Sequence, residues 1–437
     1  MELIDLSDYP VLRYAPLADD EVLHRGLSTG RLPPGQYALA LRRGKTIHLA
    51  RDPVGCSKLF FGRNREGHLV VGNRIARVWQ RGVPLAAVAS CPPGHVLEVS
   101  RDGATKLAGQ ELCDVTADTG LRVADFQAET RATLDRAFAW LARQFEGCQF
   151  AVCLSGGLDS SVIASFAARH LPGVAAASFT YLDADDLDRH ALGAPAEQLA
   201  SASDDFRAAT AVAETLGLPL LPVVRPSGAV AGAIGPSVRL GQDWRDFNVH
   251  CATVNLFLAQ DIRAAFPGQK VVVLTGDLMN EYVCDYREER VADAVYYKVP
   301  RVPADRRRRY FVRGLDAGDR EIGVFWAYGL IACQPFAVLA ESYMRVPAAM
   351  LDQPDVKWTL NAPLLAPEAL PRVSKTKTRA QVGGKDMGTL GTYHRLGVGE
   401  AELRRIWRQQ FPGEPAVACD ALIELGRYKL PRYTSGR

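Results

Sequence analysis

The sequence lacks four features, and each absence argues against a class of proteins. No apolar run approaches the ~18 residues that a membrane-spanning helix needs, so no transmembrane segment is expected. The net charge of +3 is too small to indicate a nucleic-acid or membrane partner. The acidic start of the chain has no apolar core, so it is not expected to be a secretory signal. A G-x-x-x-x-G-K-S/T loop is missing, which argues against NTPases that transfer a γ-phosphate.

Closely spaced cysteine pairs are missing as well. Nine cysteines are scattered along the 437 residues, and no two of them form a C-x-x-C motif. Such a pattern is typical of reduced, mostly buried thiols, so we expect a cytoplasmic protein. The contents of 48% hydrophobic and 23% charged residues are ordinary for a globular chain that is long enough for two or three domains.

The densest motif is Leu154–Ser161, which reads LSGGLDSS. An apolar run precedes it and a helical pattern of apolar residues follows it, which predicts a strand, a tight turn and a helix. The glycines allow the backbone to approach an anion closely, and the helix N-terminus and the serine hydroxyls supply hydrogen-bond donors. The predicted phosphate-binding residues are Ser155, Gly156, Gly157 and Ser160.

An acidic residue, Asp159, lies in the middle of this predicted phosphate cradle. A carboxylate beside phosphate oxygens is unfavourable unless a cation lies between them. Mg²⁺ bound to a polyphosphate is the ion that such oxygen ligands favour. Asp159 is therefore a predicted metal ligand as well as a predicted part of the cofactor site.

The segment Leu154–Ser161 resembles the pyrophosphate loop of the N-type ATP pyrophosphatases, and within them the asparagine synthetase branch. That branch includes β-lactam synthetase, carbapenam synthetase and lasso-peptide cyclases. The resemblance implies that ATP is cleaved to AMP and pyrophosphate, with ATP and Mg²⁺ as cofactors. A substrate carboxylate would be adenylated and then captured by an amine. Backbone groups hold the adenine in this family, and the matching positions here are Leu154 and Phe179.

A second stretch, Thr275–Glu281, follows the apolar run Lys270–Leu274. It resembles the second family motif, usually S-G-x-G-A-D-E, and Gly276 is its first glycine and an implied part of the cofactor site. Leu278 replaces the second glycine, and Asn280 replaces the metal-binding Asp. Because an amide is a weaker Mg²⁺ ligand than a carboxylate, a neighbouring acid is expected to supply the missing charge. The implied metal ligands are Asp159, Asp277, Asn280 and Glu281.

Two lysines twenty residues apart, Lys357 and Lys377, are followed by a glycine pair at 383–384. The family has two lysines at this spacing, and a lysine ammonium suits a pyrophosphate leaving group or a developing oxyanion. The resemblance implies that Lys357 lies near phosphate and that Lys377 is the catalytic cation, with Lys375 as the alternative for the second role. It also implies that Glu321 is an acidic catalytic partner.

The first 115 residues contain short strand-like runs separated by Gly, Asn, Asp and Pro. Around Ala50–Gly55 they resemble the Ntn-type glutaminase domain of asparagine synthetase. Glu2 occupies the position of its N-terminal nucleophilic cysteine, so glutamine hydrolysis is expected to be absent. The expected fold class is an N-terminal Ntn-like, β-rich (α+β) domain, residues 1–115, plus a C-terminal parallel α/β adenine-nucleotide-hydrolase-like synthetase domain, residues 126–437.

Three local interpretations concern the segments between these motifs. Asp125 is expected to cap a helix that ends at Glu146, and a helical stretch is expected from Asp319 to Leu330. The acidic, Ala/Ser-rich segment 182–204 is expected to be a solvated loop, with a lid over the site as the alternative.

The residues and the resemblance together predict an ATP-dependent amide-forming ligase that does not use glutamine and acts in specialised metabolism such as antibiotic biosynthesis. An intramolecular cyclase of the β-lactam synthetase or lasso-peptide type and a non-catalytic nucleotide-binding scaffold are the alternatives. The expected partners are small-molecule carboxylate and amine substrates, without nucleic acid or membrane. A peptide or carrier-bound substrate and a homodimer are left open.

Overall fold

The structure of the chain is a computed structural model that describes residues 2–284, 289–291, 294–296, 319–375, 392–393 and 395–422. Within these ranges the strands are β1 (Glu2–Asp5), β2 (Ala38–Arg43), β3 (Thr46–Arg51), β4 (Phe60–Arg63), β5 (Leu69–Gly72), β6 (Ala89–Ser90), β7 (His95–Val99), β8 (Ala104–Gly109), β9 (Gln149–Cys153), β10 (Ala175–Leu182), β11 (Leu220–Pro226), β12 (Val271–Leu274), β13 (Glu289–Val291), β14 (Ala294–Tyr296) and β15 (Leu330–Cys333).

The helices within the same ranges alternate with the later strands. They are α1 (Asp19–Thr29), α2 (Ile75–Gln80), α3 (Val123–Gln144), α4 (Leu158–His170), α5 (Ala184–Ala191), α6 (Asp204–Thr215), α7 (Val230–Gly241), α8 (Asp246–Ala265), α9 (Met279–Val283), α10 (Val324–Trp326), α11 (Ala340–Met344), α12 (Ala348–Leu351), α13 (Val356–Asn361), α14 (Glu400–Arg408) and α15 (Ala416–Ala421). A π-helical turn, Asp319–Gly323, directly precedes α10.

The first part of the chain forms two four-stranded sheets, in the orders β1-β5-β4-β6 and β2-β3-β7-β8. Side chains alternate between the two faces of a strand. On β4, Phe61 therefore packs between the two sheets, while Phe60 packs on the opposite face. Helix α1 covers the outer face of the second sheet through Val22 and Leu23. These helix-covered sheets confirm the expected β-rich (α+β) class for this region.

The second part is built on a five-stranded parallel sheet in the order β11-β10-β9-β12-β15. Strands β10 and β12 are buried over their whole length, as parallel strands covered by helices on both faces should be. In chain order the sheet runs outward from β9 to β11 and then restarts on the other side with β12. Ligands of such sheets bind at the carboxyl ends of the strands where this order reverses, here between β9 and β12.

Three local expectations are corrected by the structure. Helix α3 begins at Val123, so Asp125 lies in its first turn and is not its N-cap. The segment 182–204 contains helix α5, and its apolar side chains, including Leu199, are buried. The stretch from Asp319 ends as helix at Trp326, and Leu330 already belongs to β15.

The two parts of the chain share buried polar contacts. Gln242, at the end of α7, accepts a hydrogen bond from the backbone N–H of Ile75 at 2.7 Å and donates to the Asn73 carbonyl oxygen at 3.1 Å. Among the described residues, no helix combines the length and apolarity needed to cross a membrane. The division into domains at 1–115 and 126–437 stays a prediction.

Candidate active site

The loop between β9 and α4 has a backbone that only glycine accommodates. Gly156 has a φ of +71°, and a Cβ there would lie 2.6 Å from both the Ala208 Cβ and the Ala209 backbone nitrogen. The Ser160 hydroxyl accepts a hydrogen bond from the Ser155 N–H at 3.1 Å, which closes the loop onto the first turn of α4. The predicted strand, turn and helix are therefore present, and the loop presents the N-terminus of a thirteen-residue helix.

The end of β12 packs directly against this helix start. A Cβ at Gly276 would lie 2.7 Å from the backbone nitrogen of Ser160 and 2.9 Å from the carbonyl carbon of Asp159. Only a glycine allows so close an approach between the two backbones. Gly276 therefore acts on the site by positioning the two loops against each other.

The second loop contains a non-glycine residue in a left-handed conformation. Leu278 has φ +89° and ψ −30° and directly precedes α9. Conformations with φ in this range favour glycine, and a branched, bulky side chain there is strained. The observation agrees with the alignment of Leu278 to a family glycine.

A lysine ammonium joins the two loops. Lys357 lies near the start of α13, and its Nζ is 2.5 Å from Asp159 Oδ2 and 2.6 Å from Asn280 Oδ1. The side chains of Lys357 and Asp159 are only 9% and 10% exposed, so the ion pair is shielded from water. Three residues that the sequence motifs predict separately therefore meet at one point, at the carboxyl edge of the sheet.

The three carboxylates among the predicted metal ligands, those of Asp159, Asp277 and Glu281, do not form one cluster. Asp159 Oδ1 is buried and has no hydrogen-bond partner among the described residues, so it could contact a metal ion carried by a nucleotide. Asp277 forms an ion pair with Arg320 at 3.1 Å, and Glu281 is buried on α9. Within the described ranges, no three His, Cys, Asp or Glu side chains form a group that could hold a metal ion. These residues do not fit an ion held by the protein between the two loops.

Glu321 lies at the ends of β12 and β15, on the π-helical turn. Its Oε2 accepts hydrogen bonds from Thr275 Oγ1 at 2.5 Å and from Gln334 Nε2 at 2.9 Å. Burial, and then the negative charge of Asp277, raise its pKa to about 8. A carboxyl group tuned to this range can give or take a proton near neutral pH, as a general acid or base must.

Arg320, the residue before Glu321, begins a row of polar contacts. Arg320 pairs with Asp277 and also donates to Asn248 Oδ1 at 2.8 Å. Asn248 in turn donates to Asp243 Oδ2 at 2.5 Å, and Arg245 pairs with the same carboxylate at 2.6 Å. The structure brings these residues together beside Asp277, at the carboxyl edge of the sheet.

A model of the asparagine synthase family matches residues 129–351, slightly more than half of the chain. The chain belongs to the asparagine synthase family. It is 29% identical over 210 residues to asparagine synthetase [glutamine-hydrolyzing] 1 of Saccharomyces cerevisiae, covering 46% of this chain and 34% of that protein. It is 30% identical over 142 residues to asparagine synthetase [glutamine-hydrolyzing] of Brassica oleracea, covering 32% and 23%. The matches thus span about a third or less of these relatives' own lengths.

A solved structure, NMN synthetase from Francisella tularensis, is 14% identical and covers 58% of this chain and 92% of its own, at a TM-score of 0.26. The asparagine synthase match includes both loops and Glu321, whereas Lys357 lies beyond it.

The backbone predicted to hold adenine has a suitable geometry. The Leu154 N–H donates to the Ala177 carbonyl oxygen at 2.9 Å, and β9 ends at Cys153. Backbone groups two residues apart in a strand point to the same side. Phe179 lies two residues after Ala177, so its N–H and C=O also point toward the β9 side of β10. They do so beyond the last residue of β9, where no strand among the described residues pairs with them.

Lys377 and the glycines at 383–384 lie outside the described residues. The chain before them reaches the phosphate loop, because the Ser374 N–H donates to the Gly156 carbonyl oxygen at 2.9 Å. Lys375, the alternative for the catalytic role, is exposed and lies over the Trp358 ring at 5.9 Å from its centroid.

Sequence reasoning missed Gln334 and Tyr343 of this family member. Gln334 directly follows β15, so its position at a strand end of a parallel sheet was the available signal. Tyr343 donates to Asn361 Oδ1, and the charge of Asp159 adds to burial in raising its pKa well above the ordinary value. A tyrosine inside α11 carries no such signal in the sequence.

Proposed function

We propose that this chain is an ATP-dependent ligase that adenylates a substrate carboxylate and transfers the acyl group to an amine. The contact of Lys357 with both Asp159 and Asn280 carries this proposal, because it joins the two loops in which a nucleotide's phosphates would lie. Such a cation is suited to the charge of a pyrophosphate leaving group. Membership of the asparagine synthase family supports the same class of reaction.

The first step forms one bond and breaks another. A carboxylate oxygen of the substrate attacks the α-phosphorus of ATP, and the bond from that phosphorus to the pyrophosphate oxygen breaks. The loop from Ser155 to Ser160 binds the departing pyrophosphate through backbone N–H groups and hydroxyls. Lys357 compensates its negative charge. Mg²⁺ stays a prediction as the ion that accompanies ATP, with the Asp159 Oδ1 atom as its contact.

In the second step the amine nitrogen attacks the acyl carbon, and the carbon–oxygen bond to AMP breaks. The amine must lose a proton in this step. Glu321 is the proposed acceptor, because its pKa of about 8 lies close to the operating pH. Lys377 stays the predicted cation for the oxyanion of this step.

The amine is proposed to come from a source other than glutamine. Glu2 on β1 is the position that the resemblance aligns with the family's nucleophilic cysteine, and a carboxylate cannot serve as that nucleophile. The Glu2 carboxylate instead pairs with Arg42 on β2 at 2.6 Å. Free ammonia, a separate amine or an amine within the substrate itself would then be the acceptor. A role in specialised metabolism is part of this proposal.

Pyrophosphate release from ATP and Mg²⁺, measured against a panel of amino acids, carboxylic acids and short peptides, tests the proposal. The matched variants are Asp159→Ala, at the site, and Asp102→Ala, at an exposed turn of the first part. We expect release that depends on one acid, survives in Asp102→Ala and is lost in Asp159→Ala.

The same assay separates the alternatives. Acid-dependent release that needs no added amine and ends in a product lighter than the acid by one water indicates an intramolecular cyclase. ATP binding without release for any member of the panel would contradict the ligase proposal and favour a nucleotide-binding scaffold.

A further inference from the structure

We propose that the ammonium of Lys357 takes the place of a protein-held divalent metal ion between the phosphate loop and the second loop of this chain. The inference rests on the proposed function, because it takes both loops to be a phosphate site. Asn280 is the position at which this chain departs from the family motif. The inference assigns Lys357 the role of that metal ion, which is more than a position near phosphate.

The geometry of the contact is that of a bridging cation. Lys357 Nζ lies 2.5 Å from Asp159 Oδ2 on the first loop and 2.6 Å from Asn280 Oδ1 on the second. Asp159 and Lys357 are buried, and Asn280 is half-buried. A single positive charge therefore holds one oxygen from each of the two loops, which is the role that a metal ion would have between two carboxylates.

The charges of the three groups are balanced without a metal. A carboxylate at position 280, as in the family motif, would give two negative charges beside Lys357. With Asn280 the group holds one negative and one positive charge. Burying an ion pair is tolerated when it is neutral and hydrogen-bonded, whereas an additional unpaired charge is costly.

A divalent ion bound to the same two oxygens would meet the ammonium at close range. Metal–oxygen distances of ~2.1 Å for Mg²⁺ would place it within about 5 Å of Nζ. Like charges at that distance repel strongly in a site shielded from water. The Asn280 amide, a neutral and weaker ligand, offers little compensation.

The ion could still bind if Lys357 moved aside, and a metal titration decides between the two cases. Mn²⁺ binding to the full chain without nucleotide is measured by electron paramagnetic resonance, which detects free Mn²⁺. The variants are Asp159→Asn, the double variant Asn280→Asp with Lys357→Met, and Lys106→Met as a control on the exposed part of β8.

We expect the wild type, Asp159→Asn and Lys106→Met to bind Mn²⁺ equally weakly. The double variant has two carboxylates and no ammonium, so we expect it to bind one Mn²⁺ at least about tenfold more tightly. Tight binding of one Mn²⁺ by the wild type that Asp159→Asn abolishes would overturn the inference. This comparison of the wild type with Asp159→Asn is informative even if the double variant does not fold. A folded double variant with unchanged affinity would overturn it as well.

The outcome does not depend on catalysis. If pyrophosphate release fails but the Mn²⁺ result is as expected, the ligase proposal falls and the assignment of Lys357 as the bridging cation stands. If the wild type binds Mn²⁺ tightly and releases pyrophosphate, the cation assignment falls and the ligase proposal stands.

Discussion

The Gln36 side-chain oxygen accepts a hydrogen bond from the backbone N–H of Gln334 at 3.1 Å, across the contact between the two parts of the chain. The amide of the same Gln36 donates to the Ala332 carbonyl oxygen at 2.8 Å. Gln334 then donates from its own side chain to Glu321. A single residue, Gln334, therefore links Gln36 of the first part of the chain to the candidate catalytic carboxylate of Glu321. The first part of the chain thus helps to position the site, although none of its residues is proposed to react.

Replacing Gln36 by Ala should destabilise the fold. The buried N–H of Gln334 and carbonyl oxygen of Ala332 would each lose a partner, at a cost of ~1–3 kcal/mol. Urea denaturation measures the free energy of unfolding. Gln198→Ala, at an exposed position, is the control and should change it by less than ~0.5 kcal/mol. Equal effects of the two substitutions would show that the contact contributes nothing.

Glu321→Gln should separate the two proposed steps. Glutamine keeps the shape of the side chain but cannot accept the amine proton. We expect acid-dependent pyrophosphate release to persist, while amide formation falls by about 100-fold or more and loses its rise toward pH 8. Both products are measured in one reaction. An equal loss of pyrophosphate release would contradict the assignment of Glu321 to the amine step.

The raised pKa of Glu321 should also make stability depend on pH. Its pKa is about 8 in the folded chain, against an ordinary value of 4.5 that we assign to the unfolded chain. The folded state therefore binds more protons between these values. Its stabilising effect is complete below about pH 4.5 and declines as the pH rises to about 8.

Glu321→Gln removes this titration. The difference in unfolding free energy, variant minus wild type, should increase by a few kcal/mol between about pH 5 and pH 8 and then remain constant. Urea denaturation at several pH values measures it. A difference that does not change with pH would show that Glu321 titrates at an ordinary pKa.

Local sequence patterns were sufficient to predict the parts of the site that are built from neighbouring residues. The loop Leu154–Ser161 needs glycine at a left-handed backbone position and a helix directly after it, and both requirements are visible in the sequence. Continuous apolar runs of the sequence likewise form β10 and β12, because strands buried on both faces have no polar alternation.

Contacts between distant elements could not be predicted in the same way. The pairing of Asp277 with Arg320 joins residues 43 positions apart and depends on how β12 meets the π-helical turn. The acidic segment 182–204 was misinterpreted because its composition is typical of a loop. Asp183 instead caps α5 by accepting from the Asp186 N–H, and Leu199 is buried.

Leu278 offers a test of backbone strain in the second loop. Leu278→Ala and Leu278→Gly both remove the buried isobutyl side chain, and the two variants differ only in the methyl group of alanine. At an ordinary helical position, alanine is more stable than glycine by ~1 kcal/mol. At φ +89° we expect the reverse order, with the glycine variant more stable by ~1 kcal/mol. Urea denaturation of both variants gives the difference, and an alanine variant as stable as the glycine variant would contradict the strain.

Gly276→Ala should separate the two loops without removing any polar group. Its Cβ would lie 2.7 Å from the Ser160 nitrogen, which is backbone and cannot rotate away. The start of α4 must then shift, and the spacing between Asp159 and Asn280 that Lys357 bridges must change with it.

We expect the variant to bind ATP at least about tenfold more weakly and to lose ~1–3 kcal/mol of unfolding free energy. Calorimetric titration with ATP and urea denaturation measure the two effects. Gly232→Ala, on α7, is the matched control, since no atom lies within 4 Å of its added Cβ. The control should keep its ATP affinity. A Gly276→Ala chain that binds ATP as tightly as the control would show that the close approach of the two loops is not required for the nucleotide site.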